Sequence, residues 1–106
     1  MARVLISLPQ KAKPGDIIEI KTLISHPMES GFRTGTDGAR IPRDIITRFT
    51  CAYNGSEIFR AELSPAIAAN PFIAFFTIAT ESGVLEFRWT GDNGFAATET
   101  ARIAVE

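Results

Sequence analysis

The stretch SHPMESGFR, residues 25–33, carries His26, the chain's only histidine, with Met28 and Glu29 close behind it. An imidazole and a thioether two residues apart are ligand types suited to copper, and an imidazole beside a thiol is a nucleophilic dyad. The chain's one cysteine, Cys51, is the only thiol available for either. A zinc or copper site needs several converging ligands, and His26 and Met28 make only a pair, with Cys51 expected to face the core from a different strand. Cys51 sits between Phe49 and Tyr53 on what reads as the core-facing side of a strand, where desolvation disfavours a thiolate. The carboxylates of Glu29 and Asp44 have no special claim to acid–base work. There is no G-x-S-x-G, P-loop or other Gly-rich phosphate loop. Two chemical readings stay open as alternatives: a small copper-type metal-handling sandwich using His26 and Met28, and a thiol enzyme using Cys51.

The elements that would position these residues are strands. The chain has 106 residues and reads as a single domain over 1–106, long enough for a real core without disulfides. Period-2 alternation dominates. Residues 3–8 read as a first strand and 17–25 as a second, with Ile18, Ile20 and Ile24 on one face. A third covers 45–53, and Asn54-Gly55 then signals a tight hairpin into 56–63. Strands follow at 72–80, 84–90 and 95–106, the second alternating cleanly with Leu85, Phe87 and Trp89 on one face. This predicts an all-β, immunoglobulin-like β-sandwich of about seven antiparallel strands. Crossover helices for a parallel α/β fold are lacking.

Two connections are longer than turns. Residues 25–44 are anchored by prolines toward both ends and have a Gly-rich tip, GTDGAR, that reads as a mobile hairpin. Residues 64–71, SPAIAANP, have room for one helical turn. The strand at 72–80 is apolar on both sides, with Phe72, Phe76 and Ile78 opposite Ile73 and Phe75. Its second face needs a cover. A loop of the same chain is one, and a partner docking on Ile73 and Phe75 is the other. Charge is balanced, with 11 Lys+Arg against 12 Asp+Glu, and no basic run suggests nucleic acid or an anionic membrane. No apolar run approaches a membrane span. MARVLISLPQ lacks a signal-peptide cleavage pattern, so composition alone reads as cytoplasmic.

Taken together, LISHPMESGFR, GARIPRDIITRFTCAYNG and NPFIAFFTIA resemble the SoxZ family of Sox sulfur-oxidation subunits, as do the KPGD turn and the FRWTGDNG hairpin. The resemblance runs over essentially the whole chain. It implies an immunoglobulin-like sandwich that forms a heterodimer with a SoxY-like subunit. That partner carries sulfur intermediates on a cysteine in its C-terminal arm. The resemblance also implies transient docking with the pathway's enzymes and a periplasmic location reached by co-export on the partner's signal, overruling the cytoplasmic reading. The closing residues, TARIAVE, hold no glycine and no cysteine. The chain is therefore expected to be a non-catalytic scaffold with no cofactor, and to be poorly soluble or to self-associate when made alone. The expected partner-facing residues are His26, Met28, Glu29, Arg33 and Arg43 on the long connection, with Ile73 and Phe75 on the two-sided strand.

Overall fold

The computed structural model describes residues 3–106. Eight strands are formed: β1 (Val4–Ser7), β2 (Lys11–Ala12), β3 (Ile17–Ile24), β4 (Ile46–Tyr53), β5 (Ser56–Glu62), β6 (Phe72–Ile78), β7 (Gly83–Gly91) and β8 (Ala96–Val105). They build two sheets, β1-β3-β6 and β2-β8-β7-β4-β5. All seven expected strands are present. The eighth, β2, is two residues long and pairs in parallel with β8, so the second sheet is mixed rather than purely antiparallel. Residues 64–71 hold a hydrogen-bonded turn, Ile67 N–H to Ser64 O at 3.0 Å, and no helix. No helix among the described residues is long and apolar enough to cross a membrane.

The sheets stack because each has one continuous apolar face. From the smaller sheet Ile18, Ile20, Ile24 and Phe75 point inward; from the larger come Phe49, Cys51, Leu85, Phe87, Trp89 and Ile103, all buried. Aromatic rings tie the layers together. Phe75 stacks on Phe59 with centroids 4.3 Å apart, and Phe49 lies 6.1 Å from Phe75 and 5.1 Å from Trp89. Such pairs add about 0.5–1.5 kcal/mol beyond burial alone. Tyr53 closes one end, its hydroxyl donating to Glu81 O and accepting from the Thr80 and Glu81 N–H groups. At the β4–β5 turn Asn54 and Gly55 both have positive φ, 48° and 86°, the conformation that the Asn-Gly pair makes cheap.

The outward face of the larger sheet is charged and internally neutralised. Arg48 pairs with Glu62, Arg60 with Glu57, and Arg88 with Glu86. This is an ordinary solvated sheet surface. The smaller sheet's outward face, by contrast, is mostly apolar.

Candidate partner-binding surface

Residues 25–44 form a hairpin arm at one end of the sandwich. Its base is a two-residue bridge in which Glu29 and Asp44 exchange backbone hydrogen bonds, each 2.8 Å. Its tip closes through Gly35 N–H to Ala39 O at 2.8 Å, with the Asp37 side chain accepting from Ala39 N–H. His26 is a structural part of this arm. Its Nδ1 accepts the Met28 N–H at 2.9 Å, so the neutral ring carries its proton on Nε2. Nε2 lies 3.9 Å from Asp44 Oδ1, too far for a hydrogen bond. The ring packs edge-on against Phe95, centroids 4.8 Å apart. The His26 backbone is clasped by Asn70, which accepts from its N–H and donates to its carbonyl. Met28 takes a left-handed φ of 50°, unusual for its type, and its Sδ accepts the Ile46 N–H at 3.2 Å.

The arm is also bolted at its far strand. Asp92, in the short 3₁₀ turn between β7 and β8, accepts two bonds from Arg43, both 2.9 Å, and one from Ile45 N–H. The Arg43 bonds, then the Ile45 bond, hold the Asp92 carboxyl below its ordinary range. Glu29 is lowered likewise, chiefly by its bond from Arg33. Gly31, at φ 89°, lies so close to Arg43 that a Cβ there would sit 2.9 Å from the Arg43 Cβ. Because the folded pKa of Asp92 is depressed, its contribution to stability is full above the ordinary value of 3.8 and is lost as pH falls through the folded value. Thermal stability from this clamp should therefore hold from neutral down to about pH 4 and fall as the medium is acidified below it. In Asp92→Asn that acid-induced fall should be smaller, measured by thermal melts across pH. A variant as acid-sensitive as the native chain would contradict the clamp.

The second surface is the outward face of β1-β3-β6. Its register sets side chains in rows: Leu5–Leu23–Phe72, Ser7–Lys21–Ala74, Glu19–Phe76 and Ile17–Ile78. Phe72 is 61% exposed, Phe76 67%, and Leu5, Ile17 and Ile78 are also open to solvent. Only Ser7, Lys21 and Glu19 interrupt the apolar rows, and Lys21 pairs with Glu19 at 3.7 Å. Soluble monomers rarely leave so continuous an apolar patch uncovered.

Four of the expected surface residues lie buried or half-buried in the chain. His26 and Met28 are buried in the base of the arm, each spent on a backbone N–H. Phe75 is core, and Ile73 is half-buried and packed against it. The two-sided strand does have an open face, but it is the one bearing Phe72, Phe76 and Ile78. Glu29, Arg33 and Arg43 lie on the arm as expected, with their charges engaged in Glu29–Arg33 and Arg43–Asp92 pairs. The arm also presents Phe32, 72% exposed, and Arg40, whose guanidinium sits 5.9 Å over the Phe32 ring. Arg40 is one of four arginines that the sequence sets on or near this connection, a type enriched at interfaces, whereas Phe32 goes unmarked because one exposed aromatic in a loop carries no periodic signal.

Neither chemical alternative finds its geometry. For the copper-type reading, His26 Nδ1 and Met28 Sδ each already accept a backbone proton, which leaves the ring's Nε2 as its one nitrogen not so engaged. Among the described residues no three His, Cys, Asp or Glu side chains converge as metal ligands. The Cys51 thiol is pushed up to about 12 by burial, far from a nucleophile at neutral pH. Native protein should thus resist alkylation at about pH 8, where a free thiol of ordinary pKa is partly ionised. Full labelling is expected only after unfolding, read by intact mass. Rapid modification of the native chain would contradict the buried placement.

No curated protein sequence matches the chain. Among solved structures, superoxide reductase (neelaredoxin) from Ignicoccus hospitalis is similar, with a TM-score of 0.73 at 16% identity, covering 97% of this chain and 80% of that one. The sulfur carrier protein SoxY from Chlorobium limicola f thiosulfatophilum gives a TM-score of 0.68 at 14% identity, covering 97% of this chain and 78% of that one. At such identities these likenesses establish the sandwich fold and nothing finer. The family profile described as sulphur oxidation protein SoxZ matches residues 6–102, nearly the whole chain. This chain therefore belongs to the SoxZ family and is a subunit of the Sox sulfur-oxidation system.

Proposed function

We propose that this chain is the non-catalytic half of a heterodimeric sulfur carrier in thiosulfate oxidation, and that a SoxY-type subunit covers the outward face of β1-β3-β6. The partner holds the sulfur intermediates on its cysteine arm, and this chain supplies a rigid sandwich for that subunit to fold against. The observation that carries the reading is the row pattern of that face, with Phe72, Phe76, Leu5, Ile17 and Ile78 exposed on an otherwise well-packed domain. Burying aromatics of this kind at the centre of an interface supplies most of a complex's affinity. The arm offers a second, smaller surface at Phe32 and Arg40 for transient contact with the enzymes that process the carried sulfur. The location proposed is the periplasm, reached in company with the signal-bearing partner.

The non-catalytic role is supported by what the reactive residues are already doing: His26 and Met28 hold the arm, and Cys51 fills the core. Co-expression with the SoxY-type subunit tests the proposal. A 1:1 complex by sedimentation, and sulfur-oxidation turnover that survives Cys51→Ala, are expected. That substitution should cost about 1 kcal/mol of stability, as for a small buried side chain. Failure to associate, or loss of turnover in a folded Cys51→Ala complex, would overturn it.

A further inference from the structure

The proposed heterodimer seats a SoxY-type sandwich on the outward face of β1-β3-β6. Resting on that placement, we infer that, when the partner is absent, a second copy of this chain covers the same face. The two copies are related by a two-fold axis that lies in the interface and crosses the strands between Glu19 and Lys21.

The register supplies the reason. Along β3 the outward side chains run Ile17, Glu19, Lys21, Leu23, with Ile78, Phe76, Ala74 and Phe72 as their respective neighbours on β6. A two-fold axis across the strands, midway between Glu19 and Lys21, reverses the order of these rows in the second copy. Lys21 then faces Glu19 of the other copy, and the two Glu19–Lys21 pairs alternate in sign across the interface. Phe76 faces the small Ala74, and Phe72 faces Ile78. Large side chains thus meet smaller ones, as interdigitating sheet faces require. The other in-plane two-fold, running along the strands, would set Lys21 on Lys21 and Glu19 on Glu19. Like charges opposed in a desolvated interface are strongly unfavourable, so that arrangement is disfavoured. The favoured contact is self-complementary and closed, so association stops at a dimer. A chain made ahead of its partner would hide its apolar face in this way and exchange it for the heterodimer when the partner arrives.

Sedimentation velocity on the whole chain alone tests this, with the partner titrated in parallel. The native chain should sediment as a dimer at micromolar concentration. Glu19→Lys and Lys21→Glu, taken singly, should each weaken self-association by about tenfold or more, since each opposes like charges. The double variant restores the alternation and should recover the dimer to within a few-fold. Register is read separately by oxidation: chains bearing Ala74→Cys mixed with chains bearing Phe76→Cys should cross-link, whereas Ala74→Cys alone should not. A chain that stays monomeric at every concentration overturns the inference. So does a double variant no better than the singles, or self-cross-linking of Lys21→Cys. If partner binding is intact in those cases, the reading of the heterodimer face stands. Normal partner affinity in Phe76→Lys would instead overturn that reading.

Discussion

Phe76→Lys should separate folding from partner binding. The side chain is exposed on the edge strand β6, directly opposite Glu19 on β3. A lysine there gains a cross-strand carboxylate, and lysine is a common occupant of exposed edges. The melting temperature of the isolated chain should therefore change little. In the proposed complex the same position lies within the covered face. There the substitution removes an aromatic anchor and leaves a charge to be desolvated. Loss of an aromatic anchor costs about 2 kcal/mol or more, and desolvating the added lysine adds to it. Affinity for the SoxY-type subunit should fall by a factor of at least about 100. Titration calorimetry with the purified partner, alongside a thermal melt, reads both quantities. A folded variant that binds at native affinity would move the interface elsewhere.

His26→Ala should show the opposite division, a large loss of stability in the chain itself. Removing the imidazole leaves the buried Met28 N–H without an acceptor, at a cost of about 1–3 kcal/mol. It also opens a void against Phe95 and removes the edge-on contact between the rings. A total near 2–4 kcal/mol is expected, and in a domain of this size each kcal/mol lowers the midpoint by roughly 4–8 °C. His26→Asn should recover part of this loss. An asparagine carbonyl can accept the N–H two residues on, in the manner of an Asx-turn. Denaturant unfolding of the three proteins checks the order native, Asn, Ala. An Ala variant within about 0.5 kcal/mol of native, the range of ordinary surface substitutions, would show that the histidine is not a structural pin.

These two residues also mark where the sequence could and could not be read. Strand β3 declares its inward face: Ile18, Ile20 and Ile24 alternate with Glu19 and Lys21, and the charges label the outside. Strand β7 does the same with Glu86 and Arg88. Strand β6 has no charge on either side. Alternation therefore separates its two faces but does not say which is in. The choice is made by register against β3, which aligns Phe75 with Ile20 and Phe76 with Glu19. That is a long-range fact with no local signature. Hence the apolar excess at 72–78 was legible, and its direction was not.

The arm failed to read for a different reason. A histidine and a methionine in a polar loop look like surface ligands, because nothing in HPMES indicates burial. The burial comes from residues distant in sequence that close over the loop only in the folded chain. Ile46 lies 18 positions from Met28, Asn70 lies 44 from His26, and Phe95 is farther still. The positive φ of Met28 was hidden too, since it occurs at a residue type that rarely adopts it. By contrast, the Asn54-Gly55 hairpin and the GDNG turn were legible because their residue types state the backbone conformation they need.

The claim that a SoxY-type subunit covers β1-β3-β6 is tested most directly by hydroxyl-radical footprinting of the purified complex. Phe32 on the arm, 72% exposed, is an internal reference for Phe72 and Phe76, which are 61% and 67% exposed in the isolated chain. In the complex, Phe72 and Phe76 should be oxidised far more slowly than Phe32. Oxidation of all three at comparable rates in the intact 1:1 complex would contradict the account.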